Sequence, residues 1–196
     1  AGQIMIDGHD VTDKHTDINK VRENIGMVFQ HFNLFPHMSI LKNMTIAPMK
    51  LQKRGKDEAE GQAMKLLERV GLADRANAYP SQLSGGMRQR AALIRTLVLK
   101  PDLLLLDEPF SALDYQTRLN VSDDIGKILK KQRKPAILVT HDISEAISMA
   151  DRVLILSKRP ATVIKIVPID LDMKDRTPLS SRNAPAFKSY FNLIWK

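Results

Sequence analysis

Two adjacent carboxylates follow a run of apolar residues. Residues 103–106 are all leucine, and Asp107 and Glu108 come directly after them. Such an apolar run predicts a buried strand, and ligands of open α/β sheets bind at the carboxyl ends of strands. Asp107 can hold Mg²⁺, which prefers oxygen ligands. Glu108, which points to the other side of the strand, can orient and deprotonate an attacking water. The alternative is that both acids only solvate the strand end.

A Ser-Gly-Gly segment precedes a helical pattern upstream of this strand. Ser84 is a good N-cap, and Gly85 and Gly86 let a ligand approach the backbone closely. The amino terminus of a helix offers free N–H groups and the positive end of the helix dipole, so it can bind an anion. An isolated segment of this kind is also typical of an ordinary capped helix. Its position ahead of the Asp-Glu strand favours the ligand-binding interpretation.

Two further polar residues follow apolar runs. His141 comes after the run 136–139, and Gln30 comes after the run 25–28. If these runs are parallel strands, both side chains lie at the same sheet edge as Glu108, where His141 can donate to a phosphate oxygen. A single histidine is more often structural, so its interpretation depends on this placement.

The surrounding elements predict an α/β fold with a mainly parallel sheet covered on both faces. Apolar runs alternate with segments whose apolar residues recur at helical spacing. A turn is expected at Asp7-Gly8. The expected strands are 3–6, 25–29, 103–106, 136–140, 153–156 and 162–167, and the expected helices are 57–70, 87–99, 115–131 and 143–150. Residues 187–195 are interpreted as a final amphipathic segment. Residues 50–60 are interpreted as a charged linker or helix start, and 170–185 as a loose polar connection.

Composition excludes several classes of protein. The chain has 196 residues, enough for one sizeable core, and no cysteine, which excludes a disulfide scaffold and a catalytic thiol. No apolar run approaches the roughly 20 residues of a membrane helix. The 30 basic and 22 acidic residues give 30 − 22 = +8, a charge that is compatible with phosphate, nucleic acid or an anionic membrane and selects none of them.

In this order the motifs resemble the ATP-binding cassette (ABC) family, specifically the nucleotide-binding subunit of a bacterial importer. Gln30 matches the Q-loop, residues 83–87 the signature motif and residues 103–108 the Walker B strand. Residues 111–114, which end at Asp114, match the D-loop, and His141 matches the switch histidine. The resemblance runs from about residue 2 to 156. It implies a P-loop NTPase-like fold with an inserted helical subdomain, and ATP and Mg²⁺ as cofactors.

The resemblance also implies a role for each matched residue. Asp107 would bind magnesium, Glu108 would be the general base and His141 would contact the γ-phosphate. Gln30 would contact magnesium or water and couple to the membrane subunit. The residues that would bind the ATP of a second, head-to-tail cassette are Ser84, Gly85 and Gly86, with Asp114 along the interface.

The resemblance implies domain boundaries and partners. Residues 1–31 and 100–169 would form the ATPase core, residues 32–99 the helical subdomain and residues 170–196 a tail. The partners would be a second nucleotide-binding subunit, transmembrane permease subunits and, indirectly, a solute-binding protein. The subunit would be peripheral, at the cytoplasmic face of the cell membrane. No nucleic acid is expected as a partner.

Two groups of importers share features with different parts of the chain. Residues 25–48 are similar to cassettes of polar amino acid importers, and Phe32, Leu34 and Phe35 are candidates for the groove that receives the permease. These three side chains could equally belong to the core. From residue 87 onward the sequence is more similar to the nitrate, sulfonate and taurine group. The transported solute is therefore an amino acid or a small anion of that kind.

Two other functions remain open. A soluble ABC ATPase that acts on nucleic acid is compatible with the charge, but the lysines and arginines are spread along the chain without an aromatic stacking array. A degenerate cassette that lends residues 84–86 to a complete partner is the other alternative.

The family's phosphate-binding loop, G-x-x-x-x-G-K-[ST], does not occur in this sequence. The Gly-Lys pairs at 55–56 and 126–127 are followed by Asp57 and Ile128 rather than serine or threonine. Such a loop supplies the amides, lysine and hydroxyl that hold the phosphates. Together with an alanine rather than methionine at position 1, this predicts a cassette without its N-terminal portion.

We therefore expect the 196-residue chain alone to bind ATP weakly or not at all and to have no useful hydrolysis. Isothermal titration calorimetry with Mg-ATP measures this directly. A micromolar affinity would contradict the expectation.

Overall fold

The computed structural model describes residues 2–6, 8–30, 32–132 and 134–195. The chain begins with a short antiparallel hairpin of β1 (Met5–Ile6) and β2 (His9–Asp10). Gly8 in the connecting turn has φ +78°, a conformation that favours glycine. Asp7, the other residue of the predicted turn, lies outside the described residues. Only the last two residues of the predicted strand 3–6 are in a strand.

A three-stranded parallel sheet forms the centre of the molecule. Its strands are β3 (Ile25–Val28), β4 (Leu103–Asp107) and β5 (Ala136–Val139), in the order β3-β4-β5. The register aligns Val28 with Leu106, and Asp107 with Val139. The carboxyl ends of all three strands therefore meet at one edge. The predicted α/β class with a parallel sheet is confirmed.

Among the described residues between 18 and 97 there are four α-helices, two of which the sequence did not predict, and two short 3-10 helices, Ala73–Arg75 and Pro80–Gln82. The α-helices are α1 (Ile18–Glu23), α2 (Ile40–Leu51), α3 (Lys56–Arg69) and α4 (Gly85–Leu97). Helix α2 contains Pro48, which normally disfavours a helix interior, and its N-terminus is capped by the Ser39 hydroxyl. Of the two interpretations of residues 50–60, the helix start is confirmed, since α3 begins at Lys56, and only residues 52–55 connect it to α2, which runs to Leu51.

One hydrophobic core joins these helices to the sheet. It includes Val28 of β3, Leu104 and Leu106 of β4, and residues of α2, α3 and α4. Helix α5 (Tyr115–Gln132), which connects β4 to β5, contributes Val121 and Ile125. The predicted boundaries of the helical subdomain at 32 and 99 stay a prediction, because its helices and the sheet share this core.

The sheet is covered on one face, which corrects the expectation of cover on both. Alternate residues of the strands point to opposite faces. Val28, Leu104 and Leu106 are buried under the helices, whereas Met27 and Ile137, which the register places beside Leu105, are exposed. Among the described residues, no helix covers these positions of the second face.

The C-terminal part forms a second hydrophobic cluster. Helix α6 (Ile143–Met149) leads to an antiparallel pair, β6 (Arg152–Leu156) and β7 (Val163–Pro168). The short helix α7 (Pro178–Ser181) and the helix α8 (Phe187–Trp195) follow. Ile147, Val167 and half-buried side chains of α8 form the cluster.

Arg176 fastens the connection that leads into these last helices. Its guanidinium donates to the carbonyls of Ile147 and Ala150, both at 2.7 Å. Residues 170–185 are therefore attached to the end of α6 rather than loosely connected, as the sequence suggested. No helix in the described ranges is both long and apolar enough to cross a membrane.

A glycine in α5 marks a tight contact that can be tested. A Cβ atom at Gly126 would lie 2.5 Å from Cγ and 2.8 Å from Cδ of Pro178 in α7. Alanine normally stabilises a helix interior relative to glycine by about 0.5–1 kcal/mol. We expect Gly126→Ala instead to lower the free energy of unfolding by about 1–3 kcal/mol, because overpacking forces the helices apart.

Gly61→Ala is the matched control for urea denaturation. Gly61 also lies inside a helix, α3, but a Cβ atom at this position would have no neighbouring atom within 4 Å. This variant should be more stable than the parent by about 0.5–1 kcal/mol. Equal stabilisation by both substitutions would show that α5 and α7 are not in close contact.

Candidate functional site

The candidate site lies at the carboxyl edge of the parallel sheet. Asp107 is the last residue of β4 and is half-buried. Gln30 lies two residues after the end of β3 and is exposed. Because β3 and β4 pair in parallel register, Gln30 and Asp107 emerge at the same edge, as the sequence predicted.

Glu108 has an unusual backbone conformation. Its φ of +46° lies in the left-handed region, which residues with a side chain seldom adopt. Its N–H donates to the carbonyl of Val139 in β5 at 2.9 Å. Its carbonyl accepts from the N–H and the hydroxyl of Ser111, at 3.3 and 2.9 Å. Contacts on both sides therefore hold the strained residue in place, a pattern often found at functional sites.

Glu108 and His141 are in direct contact. Oε1 of Glu108 lies 2.7 Å from Nδ1 of His141 and accepts the backbone N–H of His141 at 3.1 Å. The imidazole is 80% exposed, and the carboxylate is 24% exposed. The hydrogen bond to Glu108, followed by its negative charge, raises the pKa of His141 above the ordinary value. The structure thus brings together two residues that are 33 positions apart.

Thr140, Asp142 and Glu145 support the turn that carries His141. The Thr140 hydroxyl donates to Oε2 of Glu145 at 2.8 Å and accepts from the N–H of Asp142 at 3.0 Å. Oδ1 of Asp142 caps α6 by accepting from the N–H groups of Ser144 and Glu145. Glu145 is buried, and burial is the largest cause that raises the pKa of its carboxyl group.

The sequence did not predict that Glu145 and Arg118 belong to the site. Both lie in the part of the chain, from residue 87 onward, that is similar to the nitrate, sulfonate and taurine group of importers. The spacing Asp142-x-x-Glu145 does match a helix capping box. In the structure, however, Glu145 accepts from the Thr140 hydroxyl instead of the backbone of the cap residue. The position of Arg118 beside Asp142 depends on how α5 packs, which local spacing does not reveal.

Ser84, Gly85 and Gly86 lie at the amino terminus of α4, as predicted. Ser84 caps the helix through its hydroxyl, which accepts from the N–H of Met87 at 3.3 Å. The first intrahelical bond runs from Arg88 to Ser84, so the amides of both glycines precede it. No hydrogen bond in the described part of the chain joins these three residues to Glu108 or His141.

The two glycines lie instead against the segment that follows Glu108. A Cβ atom at Gly85 would lie 3.3 Å from Leu113, and one at Gly86 would lie 2.7 Å from Thr117. Asp114, at the start of α5, accepts the N–H of Thr117 at 3.0 Å, and hydrogen bonding to Thr117 lowers the pKa of its carboxyl group. Asp114 is therefore a helix cap in this structure.

The donor set at this edge suits a hydrated magnesium ion and phosphate. Asp107 and Gln30 offer hard oxygen ligands, which Mg²⁺ prefers, and Mg²⁺ keeps several waters when one or two carboxylates hold it. Within the described ranges, no group of three or more His, Cys, Asp or Glu side chains could hold a metal ion.

Similarity to known proteins extends over most of the chain. The family profile described as ABC transporter matches residues 1–111. The glutamine transport ATP-binding protein GlnQ of Geobacillus stearothermophilus is 49% identical over 158 residues, which cover 81% of this chain and 65% of that protein. The uncharacterized ABC transporter ATP-binding protein YtlC of Bacillus subtilis is 42% identical over 195 residues, covering 100% of this chain and 72% of that protein.

A solved structure supports the same relationship. A dimeric ATP-binding cassette in a post-hydrolysis state, bound to ADP and Pi, has a TM-score of 0.71 and 31% sequence identity, and the match covers 87% of this chain and 74% of that chain. The match to the Geobacillus relative spans slightly less than two thirds of that protein's length. The sequence and the fold together show that this chain belongs to the ABC transporter family, as an ATP-binding cassette.

Proposed function

We propose that this chain provides the ATP-hydrolysing machinery of an importer for a small polar solute. The observation that carries the proposal is the contact between Glu108 and His141, which joins a candidate general base and a candidate phosphate ligand at the carboxyl edge of the sheet. ATP is the substrate of the proposed reaction. The similarity to transport ATP-binding proteins supports this choice of reaction.

The geometry suggests a separate role for each residue at this edge of the sheet. Asp107, with Gln30, would hold Mg²⁺, which neutralises phosphate charge when bound. His141 directs Nδ1 towards Oε1 of Glu108, so its exposed Nε2 can donate to a γ-phosphate oxygen. Oε2 of Glu108 has no partner among the described residues and can accept a proton from an attacking water.

A second cassette would complete the nucleotide site. The amides of Gly85 and Gly86 at the start of α4 provide a site for the γ-phosphate of ATP held by the partner, with Ser84 beside them. Leu113 of the segment 111–114 lies against Gly85, and this segment, with Asp114, would lie along the shared interface. The dimeric state of the related solved cassette supports a head-to-tail pair.

An exposed aromatic loop is the proposed permease-binding surface. Phe35 is 42% exposed, and the guanidinium of Arg95 lies 5.5 Å from its ring centroid. Asn43 fixes the loop by accepting the N–H of Phe35 at 2.7 Å and donating to its carbonyl at 3.1 Å. Phe32 and Leu34, the other two candidates, are half-buried against the main core. A permease bound here would hold the subunit at the cytoplasmic face of the membrane.

A polar amino acid is the transported solute that we propose. Relatives named for glutamine or glutamate transport match about 80% of this chain at 45–49% identity. Nitrate, sulfonate or taurine, suggested by the sequence from residue 87 onward, is the alternative. A solute-binding protein would deliver the solute to the permease.

The Glu108→Gln variant tests the hydrolytic function. The experiment uses a chimera of this chain with an N-terminal extension that contains the motif G-x-x-x-x-G-K-[ST], so that a phosphate-binding loop is present. We expect ATP hydrolysis by this chimera to fall about 100-fold or more, since a general base typically contributes about 10²–10⁴-fold. Nucleotide affinity should be retained, which separates a lost base from a misfolded protein.

Two outcomes would contradict this assignment. Hydrolysis at the parent rate in Glu108→Gln would remove Glu108 from the role of base. Hydrolysis that is insensitive to Glu108→Gln but lost in Ser84→Arg, in a mixture with a complete cassette, would favour the degenerate pairing module instead.

The pKa of His141 provides a test that requires no nucleotide. NMR titration of the histidine Cε1–H signals, with His141 assigned from the His141→Gln variant, should give a pKa above about 6.5. Glu108→Gln should return it towards that value, because the hydrogen bond to Glu108 is the largest cause of the shift. A wild-type value at or below the ordinary one would contradict the observed pairing.

The raised pKa also gives the sign of a small pH effect on stability. A group whose pKa is higher in the folded than in the unfolded state stabilises the fold fully at pH values below the unfolded pKa. That contribution disappears as the pH rises through the folded pKa of His141. The contribution is small because the imidazole is mostly exposed.

A further inference from the structure

Arg118 in α5 bridges two segments that both lead back to the candidate site. Its Nη2 donates to the carbonyl of Leu113 at 3.2 Å, and its Nη1 donates to Oδ2 of Asp142 at 3.4 Å. The side chains of Arg118 and Asp142 are 26% and 28% exposed. One guanidinium thus spans the segment 111–114 and the turn that carries His141.

Both ends of this bridge are connected to Glu108. On one side, Leu113 donates to the carbonyl of Phe110 at 3.1 Å, and Ser111 donates to the carbonyl of Glu108. On the other side, Asp142 directly follows His141, which donates its N–H to Oε1 of Glu108. The contacts form a closed ring through Glu108, the segment 111–114, Arg118 and the 140–142 turn.

The shape of the guanidinium makes this bridge specific to arginine. A planar fork can donate in two fixed directions, whereas the ammonium of lysine is a compact point charge. Oδ1 of Asp142 already caps α6, so Oδ2 is the oxygen that remains for Arg118. In the described part of the chain, Asp142 forms its ion pair with Arg118.

We propose that Arg118 is a positioning residue that keeps His141 in contact with Glu108 by fastening the 140–142 turn to the segment 111–114. Its effect on hydrolysis rests on the proposed function, but its effect on the Glu108–His141 contact does not. Without Arg118, the turn remains attached through the cap of α6 and can move relative to Glu108. The contact between His141 and Glu108 is then lost for part of the time.

A purely electrostatic role for Arg118 predicts the opposite change in the pKa of His141. The charged groups near the imidazole are Glu108, directly after β4, Asp142, the cap of α6, and Glu145 in α6, with Arg118 of α5 acting through Asp142. Removal of a cation alone would leave more negative charge and raise the pKa of His141. Loss of the contact with Glu108 lowers it. The direction of change therefore separates positioning from charge.

The experiment compares Arg118→Met with the parent chain in the absence of nucleotide. We expect the pKa of His141 to fall towards about 6.5, and hydrogen exchange of its backbone N–H to become several-fold faster as the bond to Glu108 opens. Arg118→Lys keeps the charge but cannot span both acceptors, so the pKa should fall in this variant too. An unchanged or raised pKa in Arg118→Met, or a parent-like value in Arg118→Lys, overturns the proposal.

Lys127→Met is the matched control. Lys127 is also a cation of α5, but it pairs with Asp123 on the same helix at 2.6 Å. Its removal should leave the pKa of His141 and the exchange of the His141 N–H unchanged. Circular dichroism and a thermal melt confirm that each variant is folded. If Arg118→Met is unfolded, Arg118→Lys and Arg118→Gln supply the same comparison.

A second readout separates this proposal from the proposed function. In the hydrolysing chimera, Arg118→Met should lower kcat about tenfold with little change in KM, since binding groups are left in place. A chimera without any ATPase activity would contradict the proposed function, while the pKa and exchange measurements would still decide the role of Arg118. If Arg118→Met lowers the pKa of His141 but leaves kcat at the parent value, Arg118 positions His141 only in the absence of nucleotide.

Discussion

The hydrogen bond from the N–H of Glu108 to the carbonyl of Val139 is the constraint on which the site depends. It continues the pairing of β4 with β5 by one residue beyond β4 and holds Glu108 in the left-handed region, at φ +46°. From there the side chain reaches the turn that follows β5, and the carbonyl accepts from Ser111. Strand pairing thus determines where both the side chain and the following segment go.

Close packing of glycines brings α4 to the sheet and to α5. A Cβ atom at Gly26 in β3 would overlap Thr96 of α4, and one at Gly86 would lie 2.7 Å from Thr117 of α5. A larger residue at either position would push the helix away. Gly86, which is expected to approach a ligand, therefore also sets the distance between α4 and α5.

A second hydrophobic cluster stabilises the C-terminal part of the chain. Helices α6 and α8 and the β6–β7 pair form their own hydrophobic cluster, and Arg176 ties the connection between β7 and α7 to the end of α6. Helix α6 begins at the Asp142 cap, which directly follows His141. His141 thus lies between β5 on one side and, on the other, a helix that packs in this cluster.

Local sequence patterns were enough to predict several elements of the fold. Helix α8 coincides with the amphipathic segment expected at 187–195, and β4 and α5 extend one residue beyond their predicted bounds. The order of motifs also identified the family. Helix α2 was not predicted, and it contains Pro48, a residue that normally disfavours a helix interior.

Only the tertiary structure decided how the candidate residues interact. The contact of Glu108 with His141 joins residues 33 positions apart, and the ion pair of Arg118 with Asp142 joins residues 24 positions apart. The strained backbone of Glu108 likewise depends on a neighbouring strand. Such contacts depend on strand register and on the angle at which α5 packs. Neither is encoded in local spacing. The sequence therefore allows a chemical role to be assigned to a residue, but it does not reveal which residue that side chain contacts.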